Sequence, residues 1–189
     1  MKIVKLGGSL SHDDRLRSCI EHIAAQERGS QPVIIVPGGG GFADQVRLAQ
    51  QQWHFNDVVA HHMAILAMQQ MALLINAMQP NWRLIKNLAE LNISSAGVII
   101  WWPEIELLNA YALPASWAIT SDSLAVWLGT RLAVGEIIIV KAAKIPMGAS
   151  LIDLVADGIL DAAFMRYANE FKNNITVVHS GDFLSRVWA

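Results

Sequence analysis

Two short apolar runs in this chain end on glycine. KIVKL passes at once into Gly7-Gly8-Ser9, and VIIV passes through Pro37 into Gly38-Gly39-Gly40-Gly41. Glycine weakens the interior of a strand or helix. Clusters set immediately after β-branched runs therefore mark corners where backbone approaches something closely. A glycine-rich turn between a strand and a helix offers several unpaired N–H groups and aims the positive end of the helix at the same point. That is an anion site, and phosphate is its usual guest. Two such corners from two strands of one sheet can grip a chain of phosphates from both sides. Lys5, at the end of the first run, supplies positive charge beside the first corner and is expected to be partly exposed.

The rest of the chain supports a sheet that carries such corners. Strands are predicted at Lys2–Leu6 and at residues 33–36, 98–102, 137–140 and 175–178, all rich in β-branched residues. Leu16, Cys19, Ile20 and Ile23 recur at helical spacing, with Asp13 and Asp14 in the first turn, where the helix dipole favours acidic groups. Further helices are predicted at 42–52, 56–78, 121–132 and 161–171, with a short turn near Asp182. Strand–helix alternation predicts an α/β fold, a three-layer αβα sandwich with a largely parallel sheet. The 189 residues contain no repeat, linker or low-complexity stretch and read as one domain.

Composition narrows the function classes. Hydrophobic residues make up 53% and charged residues 16%, so part of the apolar surface is expected to be covered by a second subunit, giving a homodimer or larger. A net charge of −2 gives no electrostatic case for nucleic acid. Cys19 is the only cysteine, which excludes an intrachain disulfide and a cysteine zinc cluster and fits a reducing cytoplasm. The N-terminal MKIVKLGGSL lacks the apolar core of a signal peptide. Residues 58–78 are long enough to cross a membrane, yet they carry His61, His62, Gln69, Gln70 and Asn76. His62, Gln69 and Asn76 are spaced by seven and form one narrow polar stripe, so the segment is read as a buried helix that also packs against a second subunit, with no membrane partner.

Neither corner has the Gly-Lys-Ser/Thr ending of a P-loop. Gly38, Gly40 and Ala43 fit G-x-G-x-x-A, but the acidic residue required at the end of a second strand about twenty residues on is missing, since Asp57 begins a helix instead. A third segment, SWAITSDSLAVWLG, places Thr120, Ser121, Asp122 and Ser123 at a helix start, where N-capping alone accounts for them. The three blocks VKLGGSL, VPGGGGFAD and PASWAITSDSLA, in this order, resemble the amino acid kinase family of aspartate, acetylglutamate, uridylate and isopentenyl phosphate kinases. Within it, they are most similar to the branch of (aminomethyl)furanmethyl phosphate kinases of methanofuran biosynthesis. The resemblance runs from Met1 to about Val140 and resumes at LDAAF and ITVVHSGDF.

The resemblance implies a kinase that passes the γ-phosphoryl group of ATP to a small phosphate ester, the aminomethylfuran phosphate. By that likeness, Lys5 contacts the transferring phosphoryl group, and Asp122 positions the lysines and the metal-bound phosphates. Gly7, Gly8, Ser9 and Ser121 belong to the ATP side, and Gly38, Gly39 and Gly40 hold the acceptor and the γ-phosphate. His61 lies where the furan branch has a histidine, either as a substrate contact or as a core residue. Mg²⁺ is expected to be held mostly by phosphate oxygens and water.

The pattern breaks after residues 137–140. There the family carries a Thr-Asp-Val-Asp-Gly-type stretch, whereas this chain reads IIIVKAAKIPMG, with Lys141 and Lys144 and neither acidic residue. In this it leans towards the Lys-Ala-Thr-Lys stretch of uridylate kinases. Lys141 is either a second phosphate-neutralising lysine or a solvated strand-end lysine, and Lys144 is placed with it on the nucleotide side. The chain is short for the family, with the missing length in the nucleotide-binding C-terminal half. Two other readings thus stay open: a lapsed kinase that binds a phosphate ligand or partner enzyme without turnover, and a kinase for a carboxylate acceptor. Trp101, Trp102, Trp117 and Trp127 are read as core or interface anchors. Adjacent His61 and His62 point to different helix faces and do not share a metal. Asp161 is expected to cap the helix it starts, and His179 and Asp182 to mark a strand end and a cap.

Overall fold

The computed structural model describes residues 1–26, 31–93 and 97–187. The β-branched runs form β1 (Lys2–Leu6), β2 (Val33–Pro37), β4 (Val98–Trp101), β5 (Glu136–Lys141) and β6 (Asn174–His179), joined by a short β3 (Arg83–Ile85). They make one parallel sheet in the order β3-β4-β2-β1-β5-β6. Parallel neighbours need crossover connections, and helices supply them: α1 (Arg15–Ala25), α2 (Gly40–Trp53), α3 (Asp57–Met78), α4 (Leu88–Ile93), α5 (Ile105–Ala110), α6 (Ser121–Arg131), α7 (Leu151–Ala156), α8 (Phe164–Ala168) and α9 (Ser180–Leu184). A 3-10 turn, Gly8–His12, follows β1.

Alternation along the strands sorts the core into two layers. Ile3, Ile34, Val36 and Ile139 pack with α6 and α8 on one face, and Val4, Leu6, Ile35 and Val140 pack with α1 and α9 on the other. The result is a three-layer α/β sandwich, and its sheet is parallel throughout the described residues. Lys5 shares its face with Ile3, two residues away, and so points towards α6.

Three elements differ from the sequence reading. β3 lacks an apolar run, and its first residue, Arg83, is exposed; it is a strand because it pairs with β4, Arg83 opposite Ile99 and Ile85 opposite Trp101. The helix expected over 161–171 shrinks to the five residues of α8. The N–H of Ala163 is spent on the Ala118 carbonyl (2.9 Å), which holds the preceding turn against the loop before α6. α3 is long and apolar enough to cross a membrane, but it lies on the sheet with Ile65, Met68, Met71 and Ile75 buried. Two members of its polar stripe serve neighbouring loops: Gln69 donates to the Pro103 carbonyl (2.7 Å) and Asn76 to the Trp82 carbonyl (2.6 Å).

The order of the strands locates a crevice. From β1 the chain moves to β2 on one side; after β4 it crosses back to β5 on the other side of β1. The carboxyl ends of β1 and β5 therefore form a topological switch point, where sheets of this class open a cleft.

Candidate active site

Three charged side chains meet at that switch point. Lys5 is the penultimate residue of β1, Lys141 ends β5, and Asp122 sits in the first turn of α6. Lys5 Nζ lies 2.6 Å from Asp122 Oδ1, and Lys141 Nζ lies 2.5 Å from Oδ2. Lys5 was expected to be partly exposed. It is buried, with a side chain only 3% exposed, because β1 is flanked by β2 and β5 and Lys5, on the Ile3 face of the strand, faces α6. Burial lowers the Lys5 pKa to about 8, with the Lys141 charge acting the same way and Asp122 opposing both. Burial pushes the Asp122 carboxyl upward, but the two lysines outweigh it and hold it below the ordinary carboxylate range. Lys141 is not a solvated strand-end lysine: its side chain is 13% exposed and tied to Asp122. Two cations share one carboxylate, which leaves positive charge available for an anion.

The carboxylate that could have balanced this excess, Asp161, is committed elsewhere. Its Oδ2 accepts from Thr120 N (2.9 Å), Thr120 Oγ1 (2.8 Å) and Ser123 N (3.0 Å), and its Oδ1 accepts from Ser123 Oγ. Asp161 therefore caps α6, the helix that carries Asp122. This corrects the sequence expectation, since α8 begins only at Phe164, after Ala163. The cap lies 38 to 41 residues from its partners in the chain, so no local pattern announces it.

The glycine corners touch each other. A Cβ on Gly8 would lie 2.5 Å from the Gly40 nitrogen, and one on Gly38 would run into the Gly8 nitrogen. Gly40 has φ +55°, a conformation that favours glycine. The N–H of Gly7 is spent on the Val140 carbonyl (2.9 Å) and that of Gly38 on the Leu6 carbonyl (2.8 Å). These two glycines let the corners close. The amides of Gly8, Ser9, Gly39 and Gly40 have no such partner among the described residues. Gly39 and Gly40 precede the first bond of α2, from Ala43 N to the Gly39 carbonyl (3.3 Å), as orphan donors at a helix start.

The corners open on a cavity of ≈ 210 Å³ whose wall includes Lys5, Ser121, Asp122 and Lys141. Gly8, Ser9, Gly39 and Gly40 line it, whereas Gly7, Gly38 and the exposed Lys144 do not. The wall continues through His12, Asp44, Arg47, His61 and Trp117. Arg47 lies 3.7 Å over the Trp117 ring, whose Nε1 donates to Gln50 Oε1 at 2.6 Å. Trp117, partly buried, lines the cavity, while Trp101 and Trp127 are core residues. His61 is buried, with Nδ1 3.2 Å from the Ser116 carbonyl, a contact that assigns the ring proton to Nδ1. Burial lowers its pKa, the Ser116 carbonyl opposes this, and His62 reinforces it, so the net effect favours the neutral ring. No cluster of three or more His, Cys, Asp or Glu that could hold a metal occurs among the described residues.

A profile of the amino acid kinase family matches residues 1–144. The chain belongs to the amino acid kinase family. It is 32% identical, over 95% of its own length and 88% of the relative's, to the [5-(aminomethyl)furan-3-yl]methyl phosphate kinase of Methanocaldococcus jannaschii. Its fold matches the uridylate kinase of Archaeoglobus fulgidus with a TM-score of 0.71 at 16% identity, covering 97% of this chain and 94% of that one. The UMP kinase of Ureaplasma parvum matches at 0.70 and 16% identity, over 94% and 88% of the two chains. The aspartate kinase of Synechocystis matches at 0.69 and 15% identity, over 95% of this chain and 38% of that one.

Within this family fold, the structure adds residues that the sequence reading missed. Asp44 and Arg47 follow Gly40 by four and seven residues, on one face of α2, and that spacing was readable. What brings Trp117 to the same wall is tertiary packing, through Arg47 and Gln50.

Proposed function

We propose that the protein transfers the γ-phosphoryl group of Mg-ATP to a small phosphate ester, with the aminomethylfuran phosphate of methanofuran-type cofactor synthesis as acceptor. The buried Lys5–Asp122–Lys141 cluster beside two glycine corners carries this reading. The acceptor is that for which the M. jannaschii relative is named.

In this reading the free amides of Gly8 and Ser9, with Lys141, bind ATP phosphates, and the amides of Gly39 and Gly40 face the group in transfer. An acceptor phosphate oxygen forms a bond to the γ-phosphorus, the bond to the β–γ bridging oxygen breaks, and ADP leaves with the electron pair. A phosphate monoester loses its second proton near pH ~6, so its oxygen is already a nucleophile and no general base is required. The transition state spreads charge over the transferring oxygens and needs fixed positive groups more than covalent chemistry. Lys5 supplies such a group, held by Asp122 rather than by solvent. Both Asp122 oxygens are taken by lysines, which fits a Mg²⁺ held by phosphate oxygens and water.

The test is calorimetry and turnover with Mg-ATP and the furan phosphate. Binding of both, with ADP formed only when both are present, is expected. Ester binding without nucleotide binding would replace this reading with that of a lapsed kinase. We also propose a homo-oligomer formed through α3, where Val59, Leu66 and Leu73 are spaced by seven and are 43–50% exposed.

A further inference from the structure

We propose that Asp44 receives the cationic end of the acceptor, so that the cavity selects a phosphate ester that also carries an ammonium group. This rests on the kinase reading and names the substrate class for the same site. Asp44 lies four residues after Gly40 on α2, about 6 Å along the axis at 1.5 Å per residue. Both residues line the cavity. A phosphate held at the Gly40 amide thus leaves the carboxylate one helical turn away, on the same face.

The carboxylate is available. Arg47 is three residues on, where an ion pair with Asp44 is the common outcome on a helix. It is turned onto the Trp117 ring instead, 3.7 Å from the ring centre. Among the described residues the only partner of Asp44 is His12, whose Nε2 lies 3.1 Å from Oδ2. Oδ1 accepts nothing. The cavity therefore offers shared lysines and glycine corners in one part and, in the other, a carboxylate with one open oxygen that Arg47, turned onto Trp117, does not pair. A ligand with a phosphate and an ammonium group set a small ring apart matches both signs. An ester without the amine leaves Asp44 Oδ1 without a partner.

Calorimetry with two probes tests this: [5-(aminomethyl)furan-3-yl]methyl phosphate and its 5-methyl counterpart, which lacks only the amine. The wild type is expected to bind the amine ester on the order of tenfold more tightly, the modest end for a charged pair at a half-exposed carboxylate. Asp44→Asn should erase that preference and leave the Kd values of the 5-methyl ester and Mg-ATP unchanged, and Asp44→Glu should restore part of it. A preference that survives Asp44→Asn in a folded protein overturns the assignment to Asp44. Equal wild-type binding of the two esters overturns it too, while leaving the kinase reading intact. A wild type that binds Mg-ATP and neither ester overturns the furan phosphate reading together with this one.

Discussion

Replacing Asp161 with alanine isolates what holds α6 in place. The side chain is 9% exposed and accepts four hydrogen bonds, from the backbone N–H and hydroxyl of both Thr120 and Ser123. The two hydroxyls can rotate towards other acceptors, but the two amides are fixed by α6. A buried donor left unsatisfied costs roughly 1–3 kcal/mol, so two of them cost about 2–6 kcal/mol, with the lost N-cap included. We take ~4 kcal/mol as the expectation, a large share of the ~5–15 kcal/mol typical of a folded domain. In a chain of this size each kcal/mol lowers the melting temperature by about 2–4 °C, so Asp161→Ala should lower it by about 10 °C. Asp161→Asn keeps one acceptor oxygen but turns an amide towards donors, so it should fall between the two. Urea titration at fixed protein concentration should show a lower midpoint with an unchanged slope. Turnover should fall as well, because α6 carries Asp122, although Asp161 does not line the cavity. A melting temperature within ~2 °C of the wild type would refute the capping role.

Lys5→Ala should cost on the order of a hundredfold or more in kcat, the usual loss of one preorganised charge at a transition state, without unfolding the protein, because Asp122 keeps its contact with Lys141; near-normal turnover removes the mechanism. Lys141→Ala should weaken Mg-ATP binding with little effect on the acceptor's own Kd, and an unchanged nucleotide Kd discards that lysine's role. The rate should decline as pH rises through about 8, where Lys5 loses its proton. Between about 8 and 10.5 the unfolded chain binds more protons at this lysine than the folded one, so its contribution to stability rises with pH across that window, and Lys5→Met should abolish the rise in denaturant titrations. Sedimentation should give a dimer or larger at micromolar concentration, and Leu66→Lys on the exposed face of α3 should dissociate it; a wild-type monomer sinks the proposed interface.

The strands that carry the site were legible in the amino-acid sequence because their signals are local. A β-branched run such as VIIV favours an extended backbone wherever it is buried, and a glycine cluster after it marks a corner whatever lies nearby. The order of the three blocks likewise pointed to the amino acid kinase family without any knowledge of contacts. The depth of Lys5 was not local: it follows from β1 lying between β2 and β5, which strand order alone decides. β3 exists through its pairing with β4. Asp161 caps a helix that begins forty residues earlier in the chain, and Arg47 makes no ion pair with Asp44 because it lies on Trp117, which arrives from beyond α5. The sequence alone determined most of the extended and helical segments and where the backbone turns on glycine. Only the tertiary structure decided which charges meet there, because a side chain's burial and partners depend on segments that become neighbours only when the sheet is assembled.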